Sequence, residues 1–287
     1  MRIPIYNRFI ALQSQLPQYL TYYKQKNIIP ILDYCMEFDN NHLNTTYNIL
    51  KFIEKYPSNY FAIKLTSLGL NDYNTKCTNK NLEMICDLSS HTNSKILIDA
   101  ENVKYQDYIN NISNDFIETY NVNKKSAMIY KTYQMYRKDS FTTLLDDVIK
   151  YNNSDIKLGI KMVRGAYYFE DKDSGLLHNN IRDTHNNYNN GINFLFKNFD
   201  DIQNVIFATH NKESIKLITI NSSIYNIPNQ IIKYASLTGM NDKISDNLNS
   251  NGYYIMKYLP FGPFCKTMPY FVRRLYENYD IIKYIKN

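Results

Sequence analysis

The chain of 287 residues contains no tryptophan, only eight glycines and eight prolines, and four scattered cysteines. At the usual glycine frequency of about 7%, roughly 20 glycines would be present, so each remaining glycine is expected where the backbone requires one. The shortage excludes collagen-like and linker-rich chains. The cysteines form no CxxC pair and show no metal-binding spacing with histidine, so we expect reduced thiols and no metal site.

Long apolar runs and blocks of like charge are also missing. No segment reaches the roughly 18 apolar residues of a membrane span, and the N-terminus has no signal-peptide core. Arg2, Arg8, Lys24 and Lys26 precede the first acid, Asp33, a pattern typical of a basic first helix or of a transit segment. The net charge is +6, but the basic residues form no cluster in the sequence. This distribution argues against nucleic-acid binding. We expect an intracellular protein without a clear targeting signal.

Short β-branched or apolar runs alternate with longer amphipathic stretches. Eight repeats spaced by about 30 residues favour a closed (β/α)8 TIM-type barrel over an open doubly wound sheet. The GxGxxG and P-loop sequences are absent, which argues against a Rossmann fold. The predicted strands are 27–33, 61–66, 95–99, 127–131, 157–163, 204–209, 231–236 and 253–258.

The stretches between these strands are predicted helices, and no linker divides the chain. We therefore expect one α/β domain, with an N-terminal helical segment at 1–27 and the barrel at 28–287. The predicted helices are an extra one at 8–24, then 42–56, 79–90, 103–115, 141–151, 185–199, 212–221, 242–249 and 266–278.

In such barrels the chemistry lies at the carboxyl ends of the strands. Lys64, Asp99 and Lys161 fall inside or at the end of predicted strands, where a charge is costly to bury unless it is paired or bound to a ligand. A single lysine could instead direct its ammonium group out of the barrel, but three such residues predict a polar site. Half of the glycines follow strand ends, where positive φ or close backbone approach would require them: Gly69, Gly165, Gly239 and Gly262.

Two further features have alternative explanations. His210, in the sequence ATHN at a strand end, is either a structural residue or a ligand contact. Arg273 and Arg274 are either surface charges or a bidentate clamp for a carboxylate, which Glu277 one turn later could orient.

These residues lie in segments that resemble proline dehydrogenases, the FAD-dependent (β/α)8 enzymes of proline catabolism. The segment YLPFGPFCKTMPYFVRRLYEN at 258–278 resembles the family signature. The resemblance covers residues 28–278. The sequences ILDYCME and TYQMY are most similar to those of the eukaryotic branch. The further blocks, in family order, are ILDYCME (31–37), AIKLTSLG (62–69), ILIDAE (96–101), TYQMYRKDS (132–140), IKMVRGAYY (160–168) and FATHN (207–211).

The resemblance implies oxidation of L-proline to Δ1-pyrroline-5-carboxylate by hydride transfer to N5 of FAD, with electrons passed to a quinone-type acceptor. This is the first step of proline catabolism to glutamate. It also implies a monofunctional enzyme, because no aldehyde dehydrogenase or DNA-binding region is present. Peripheral membrane contact would involve the basic N-terminal segment or the last helix.

The resemblance also assigns residues. Lys64, Arg273 and Arg274 would hold the proline carboxylate, with Glu37 and Glu277 as supporting carboxylates. The catalytic positions are Asp99 beneath the substrate ring, Tyr258 beside it and Lys161 near flavin N5. Met162 and Tyr167 would complete the substrate wall. The remaining FAD contacts would be Gln134, Arg164, Gly165, Ala166, Thr209, His210 and Asn211.

Tyr258 leaves little room for a ring hydroxyl, so we expect proline to be preferred over 4-hydroxyproline. Two other functions remain open. Lys64 or Lys161 could be the Schiff-base nucleophile of a lyase-type barrel, or the barrel could be a non-catalytic binding protein.

Overall fold

The computed structural model describes residues 8–35, 41–71, 75–240 and 242–277, with side chains as far as Val272. The strands are β1 Ala11–Leu12, β2 Ile28–Tyr34, β3 Tyr60–Ile63, β4 Lys95–Ile98, β5 Ile129–Gln134, β6 Gly159–Val163, β7 Val205–Ala208, β8 Lys233–Leu237 and β9 Tyr254–Gly262. The helices are α1 Leu16–Gln25, α2 His42–Lys55, α3 Lys76–His91, α4 Val103–Tyr120, α5 Ser140–Tyr151, α6 Tyr168–Asp171, α7 Ile181–Asn198, α8 Lys212–Ile224, α9 Asp242–Ser250 and α10 Phe264–Glu277.

The strands hydrogen-bond in the order β1-β9-β2-β3-β4-β5-β6-β7-β8, and β9 also pairs with β8. The order from β2 to β9 therefore closes on itself, which confirms the predicted (β/α)8 TIM-type barrel. Each of the eight predicted strands is present, and the boundaries shift by a few residues. The largest extension is at β9, which continues to Gly262 because its last two residues pair with β1.

The predicted N-terminal helix at 8–24 is wrong over residues 10–12, and a 3-10 turn occupies Gln13–Gln15. Ala11 and Leu12 instead form β1, which pairs in parallel with Phe261 and Gly262. The helix begins at Leu16, with Pro17 in its first turn. Proline has no backbone N–H to donate and is favoured in that turn, so it marks a helix start rather than a helix interior.

Packing divides the chain into two compact units. The first comprises the described residues up to Ile96, together with Ala235–Ser250 and those from Ile255 onward; the second comprises Leu97–Tyr234 and Asn251–Tyr254. In the first unit, Ile31 of β2, Ile53 of α2 and Ile63 of β3 are almost fully buried, and Tyr34 of β2 packs against Phe52 of α2. In the second, Phe207 of β7 stacks on Phe196 of α7 at 5.8 Å between ring centroids. These contacts bury apolar area worth about 25 cal/mol per Å².

Asn121, directly after α4, joins the beginnings of two strands in the second unit. Its side-chain amide donates to the carbonyls of Ile129 (2.8 Å) and Lys157 (2.6 Å). Its oxygen accepts from the N–H groups of Met128 (2.9 Å) and Ile129 (2.8 Å). The buried side chain thus satisfies four backbone groups, and β5 begins at Ile129 rather than at residue 127 as predicted.

Replacing Asn121 with Ala should destabilise the protein by on the order of 2–4 kcal/mol, because buried backbone groups lose their partners. Asn152 is the matched control, since its side-chain bonds to Asn198 and Asp200 are exposed. Urea denaturation followed by circular dichroism measures both variants. Equal, small changes in the free energy of unfolding would contradict this role for Asn121.

Candidate active site

Lys64, which follows β3, lies in a buried cluster at the carboxyl ends of strands in the first unit. Its ammonium group donates to Oδ1 of Asp33 on β2 at 2.9 Å and to the hydroxyl of Tyr258 on β9 at 3.5 Å. Lys64 and Asp33 are 4% and 1% exposed. An ammonium group this far from water requires a charged or polar partner. The Lys64 cluster therefore combines a buried ion pair with a phenol.

Thr238, directly after β8, holds the backbone of Tyr258. The amide and the hydroxyl of Thr238 both donate to the Tyr258 carbonyl, at 3.0 and 2.8 Å. The Thr238 hydroxyl also lies 2.9 Å from the hydroxyl of Tyr23. Because the single Thr238 hydroxyl proton is donated to Tyr258, Tyr23 must be the donor of this second bond. Burial raises the pKa of Tyr23 well above its usual value, so the phenol keeps that proton.

Asp99 and Lys161 form a second ion pair, in the second unit. The Lys161 ammonium group lies 2.5 Å from Oδ1 of Asp99, and both side chains are buried. Asp99 follows β4 directly, and Lys161 pairs in register with Thr132 of β5. A charge-assisted bond of this length fixes the positions of both groups.

Gln134, at the end of β5, connects two loops of the second unit. Its amide nitrogen donates to the Glu101 carbonyl at 2.7 Å, and its oxygen accepts from the Ala166 N–H at 3.3 Å. Gln134 thus fixes the backbone that follows β4 and the backbone that follows β6. The side chain is itself almost fully buried.

Arg164 extends this arrangement toward α7 and α8. Its guanidinium group donates to Nδ1 of His185 (2.9 Å), Oγ1 of Thr209 (2.7 Å) and Oγ of Ser214 (2.8 Å). It also lies over the ring of Tyr188, 4.4 Å from the centroid. All three acceptors are neutral, and no carboxylate of the described residues forms a salt bridge with Arg164. The Arg164 cluster therefore carries a positive charge that the described protein groups leave uncompensated.

The N-terminus of α8 lies at the same cluster. Asn211 is the N-cap residue, and its side-chain oxygen accepts from the Ser214 N–H at 3.0 Å. The N–H of Asn211 donates to Oγ1 of Thr209, which also accepts from Arg164. An arginine beside the N-terminus of a 13-residue helix is a favourable environment for an anion such as phosphate.

Gly165 shows why a glycine follows Arg164. Its φ is +140°, and an added Cβ would overlap the ring of Tyr136. The Tyr136 hydroxyl donates to Asp171 at 2.6 Å, and Asp171 also accepts from the Val103 N–H. The prediction that glycines after strand ends adopt positive φ is confirmed for Gly69, Gly165, Gly239 and Gly262.

Met162 and Lys161 do not lie together. Adjacent strand residues point to opposite faces, and the Met162 side chain packs against Gly191 of α7. Met162 therefore lies between strand and helix, and this placement gives no support for its expected contact with the substrate. Tyr167 is buried and His210 is exposed.

Four residues with expected roles have side chains outside the described part of the structure. Glu37 lies in 36–40, which the structure does not describe. The backbone of the other three is helical within α10: Arg273, Arg274 and Glu277.

Asp33 and His185 are site residues to which the sequence analysis gave no role. The sequence did contain a signal for Asp33, because it ends a predicted strand and precedes Tyr34 in the block ILDYCME. His185 had none, because an isolated histidine on an amphipathic helix has many possible roles. Ser214 was missed for a similar reason, since a serine in the first turn of a helix is common.

The fold and these clusters define a (β/α)8 barrel with buried charged groups at the carboxyl ends of its strands, where barrel enzymes bind their ligands. The family model described as Proline dehydrogenase matches residues 23–286. The chain therefore belongs to the proline dehydrogenase family.

Three relatives illustrate the similarity. The chain is 32% identical over 208 residues to proline dehydrogenase 1, mitochondrial, of Arabidopsis thaliana, covering 69% of this chain and 42% of the relative. It is 35% identical over 218 residues to the Dictyostelium discoideum protein of the same name, covering 70% and 37%. Proline utilization A (PutA) from Bdellovibrio bacteriovorus, in a structure inactivated by N-propargylglycine, matches with a TM-score of 0.85 and 19% identity, covering 96% of this chain and 32% of that chain. The matched regions thus span less than half of each relative.

Among the described residues, no helix is long and apolar enough to cross a membrane.

Replacing Asp33 with Ala should lower the free energy of unfolding by about 3–5 kcal/mol, because Lys64 would lose a buried ion-pair partner. The double variant Asp33→Leu with Lys64→Met should recover part of this loss. Glu118→Ala is the control, since Glu118 pairs with Lys150 at the surface and such pairs contribute less than about 1 kcal/mol. Urea denaturation measures the free energy of unfolding of each variant. Equal values for Asp33→Ala and Glu118→Ala would refute the interpretation.

His185 should make stability depend on pH. Burial, and then the charge of Arg164, lower its pKa below the usual 6.5, while Glu213 opposes the shift. The unfolded state then binds the proton more readily, so stability is complete above pH 6.5 and falls as pH decreases toward the folded pKa. Replacing His185 with Gln keeps an acceptor for Arg164 and should remove this part of the pH dependence. Identical pH profiles of unfolding for both proteins would contradict the prediction.

Proposed function

We propose that the protein is an FAD-dependent proline dehydrogenase that oxidises L-proline to Δ1-pyrroline-5-carboxylate. The observation that carries the proposal is the Arg164 cluster, where a half-buried cation binds only neutral groups of the described chain beside the N-terminus of α8. Such a site suits the pyrophosphate of a dinucleotide cofactor. Membership of the proline dehydrogenase family supports proline as the substrate.

The residues of the second unit fit FAD in their chemistry. Arg164, Thr209 and Asn211 would hold the phosphates, and Gln134 would hold the backbone at Glu101 and Ala166 in place. When bound, FAD supplies the acceptor for the hydride. Further contacts proposed from the motif blocks are Gly165, Ala166, His210 and, near flavin N5, Lys161.

The substrate carboxylate would bind to Lys64, Arg273 and Arg274. Asp33 fixes the position of the Lys64 ammonium group, so Lys64 needs little reorganisation to receive an anion. Glu37 and Glu277 would orient the arginines. Holding the carboxylate at one end of the ring directs the opposite ring carbon, next to nitrogen, toward the hydride acceptor.

Asp99 and Tyr258 would control the proton on the substrate nitrogen. The ring carbon next to nitrogen loses a hydride with its electron pair, and the nitrogen lone pair then forms the C=N bond. This requires a neutral amine, and an anionic Asp99 can accept its proton. Lys161, paired with Asp99 at 2.5 Å, keeps that carboxylate in place. Tyr167 and Tyr258 would bound the ring and disfavour 4-hydroxyproline.

Several wider features belong to the same proposal. Electrons would pass to a quinone-type acceptor, with peripheral contact to a membrane. The relatives' names include the word mitochondrial, which supports an intracellular location. We also propose one barrel domain at 28–287, with an N-terminal helical segment at 1–27.

A Schiff-base lyase is the less favoured alternative. Its nucleophilic lysine must be neutral to attack a carbonyl. Lys64 and Lys161 each donate to a buried carboxylate, so both amines are held in ion pairs rather than placed to attack a carbonyl.

The test is to load the purified protein with FAD and add L-proline without oxygen. The flavin absorbance should disappear, and Δ1-pyrroline-5-carboxylate should form in equal amount. 4-Hydroxyproline should react much more slowly. A protein that cannot bind FAD, or a loaded protein whose absorbance is unchanged by proline, would overturn the proposal, and trapping of a substrate by borohydride would support the lyase.

Replacing Arg164 with Met should lower the affinity for FAD at least tenfold in a titration of the apoprotein. Arg164→Lys keeps the positive charge and should lower the affinity by a smaller factor. The control is Arg182→Met, since Arg182 is exposed on α7. Unchanged FAD affinity in a folded Arg164→Met protein would remove Arg164 from the cofactor site.

A further inference from the structure

The helix that carries Arg273 and Arg274 has a weak point in its own sequence. Pro269 lies inside α10, where it removes a backbone hydrogen bond and crowds the preceding turn, at a cost of about 3 kcal/mol in an ordinary helix. Such a helix needs support from tertiary packing. The next two residues, Tyr270 and Phe271, are buried, so the support is applied directly after the proline.

The support comes from the segment before β1. Phe9 and Ile10 are 6% and 1% exposed and belong to one apolar cluster with Tyr270 and Phe271. The rings of Phe9 and Phe271 lie 5.9 Å apart, tilted by 31°. Ring pairs at this distance contribute about 0.5–1.5 kcal/mol beyond the area they bury.

The same segment also holds the beginning of α10. Ala11 and Leu12 pair with Phe261 and Gly262, and α10 begins two residues later, at Phe264. Backbone pairing at this point and ring packing at Phe271 therefore constrain α10 at two places. Both constraints come from four consecutive residues.

The loop after β8 packs against this segment as well. Gly239 has a φ of +77°, and an added Cβ would lie 2.9 Å from Cγ of Arg8 and 3.0 Å from Cδ1 of Phe9. Met240 joins the apolar cluster. The preceding residue, Thr238, holds the carbonyl of Tyr258, so the segment contacts both α10 and the loop that positions Tyr258.

We propose that Phe9 is a positioning residue for substrate binding, because it fixes α10, with Arg273 and Arg274, against the loop after β8. The inference rests on the proposed function of those arginines. Phe9 packs within the apolar cluster and acts only through α10, so its effect should appear in the affinity for the substrate carboxylate. The hydride step and the affinity for FAD should be nearly unchanged.

The experiment compares Phe9→Ala, Phe9→Leu and wild type in the FAD-loaded protein. Phe9→Ala should raise the KM for L-proline about tenfold and change kcat less than twofold, and Phe9→Leu should restore most of the affinity because it refills the apolar space. Cyclopentanecarboxylate has the ring and the carboxylate but no amine to oxidise, so it should inhibit competitively. Its inhibition constant should rise by the same factor as KM.

The matched control is Phe116→Ala. Phe116 is also buried, stacks on Tyr120 within α4 and lies in a helix with no proposed site residue. It should lower the free energy of unfolding like Phe9→Ala but leave KM unchanged. An unchanged KM in Phe9→Ala, or an equal rise in Phe116→Ala, would overturn the inference.

Two further outcomes are decisive. If Phe9→Ala does not fold, two other variants decide the inference. Phe9→Leu should raise KM at least twofold, and Tyr23→Phe, which removes the bond to Thr238, should raise KM by a smaller factor. A KM equal to that of wild type in both variants would overturn the inference. Failure of the proposed function is distinguishable, because wild type itself would then not oxidise proline.

Discussion

A buried ammonium group must have a partner, and this requirement organises the strands of the protein. Lys64 and Lys161 pair with Asp33 and Asp99, carboxylates on or directly after strands. Lys131 pairs instead with Asp147 of α5 at 2.6 Å. The two kinds of pair have different consequences. A carboxylate at a strand end keeps the ammonium group at the ligand-binding end of a barrel. A carboxylate on a helix places the ammonium group in the layer between sheet and helix.

The pairs with helix carboxylates are structural. Burial lowers the pKa of Lys131, and the charge of Asp147 opposes this shift. Lys257 on β9 has the same balance with Asp242, and it also donates to the Met240 carbonyl at 2.7 Å. Lys257 thereby ties the loop after β8 to β9 from the helix side, while Thr238 ties the same loop to the Tyr258 carbonyl.

The sequence was sufficient for the fold because each strand is a short apolar run, and the closed order follows from eight such runs with helices between them. The rarity of a charge in a strand singled out Asp99 and Lys161, and the structure buries them as an ion pair. Period-two alternation would have separated Met162 from Lys161, and Lys257 from Tyr258, since neighbours on a strand face opposite sides. His185 could not be predicted, because its role depends on Arg164, which is distant in sequence and adjacent only in the folded chain.

The N-terminal segment marks the limit of prediction from local pattern. Residues 8–24 have a helical pattern, yet Ala11 and Leu12 pair with β9 because the end of that strand offers hydrogen-bonding groups that a helix could not satisfy. The same pairing brings Phe9 to Phe271, two residues after the proline that weakens α10. The segment that departs from its local preference thus supports a helix that an internal proline weakens. Neither feature is informative alone, and the contact that joins them is non-local, which is why only the folded structure reveals it.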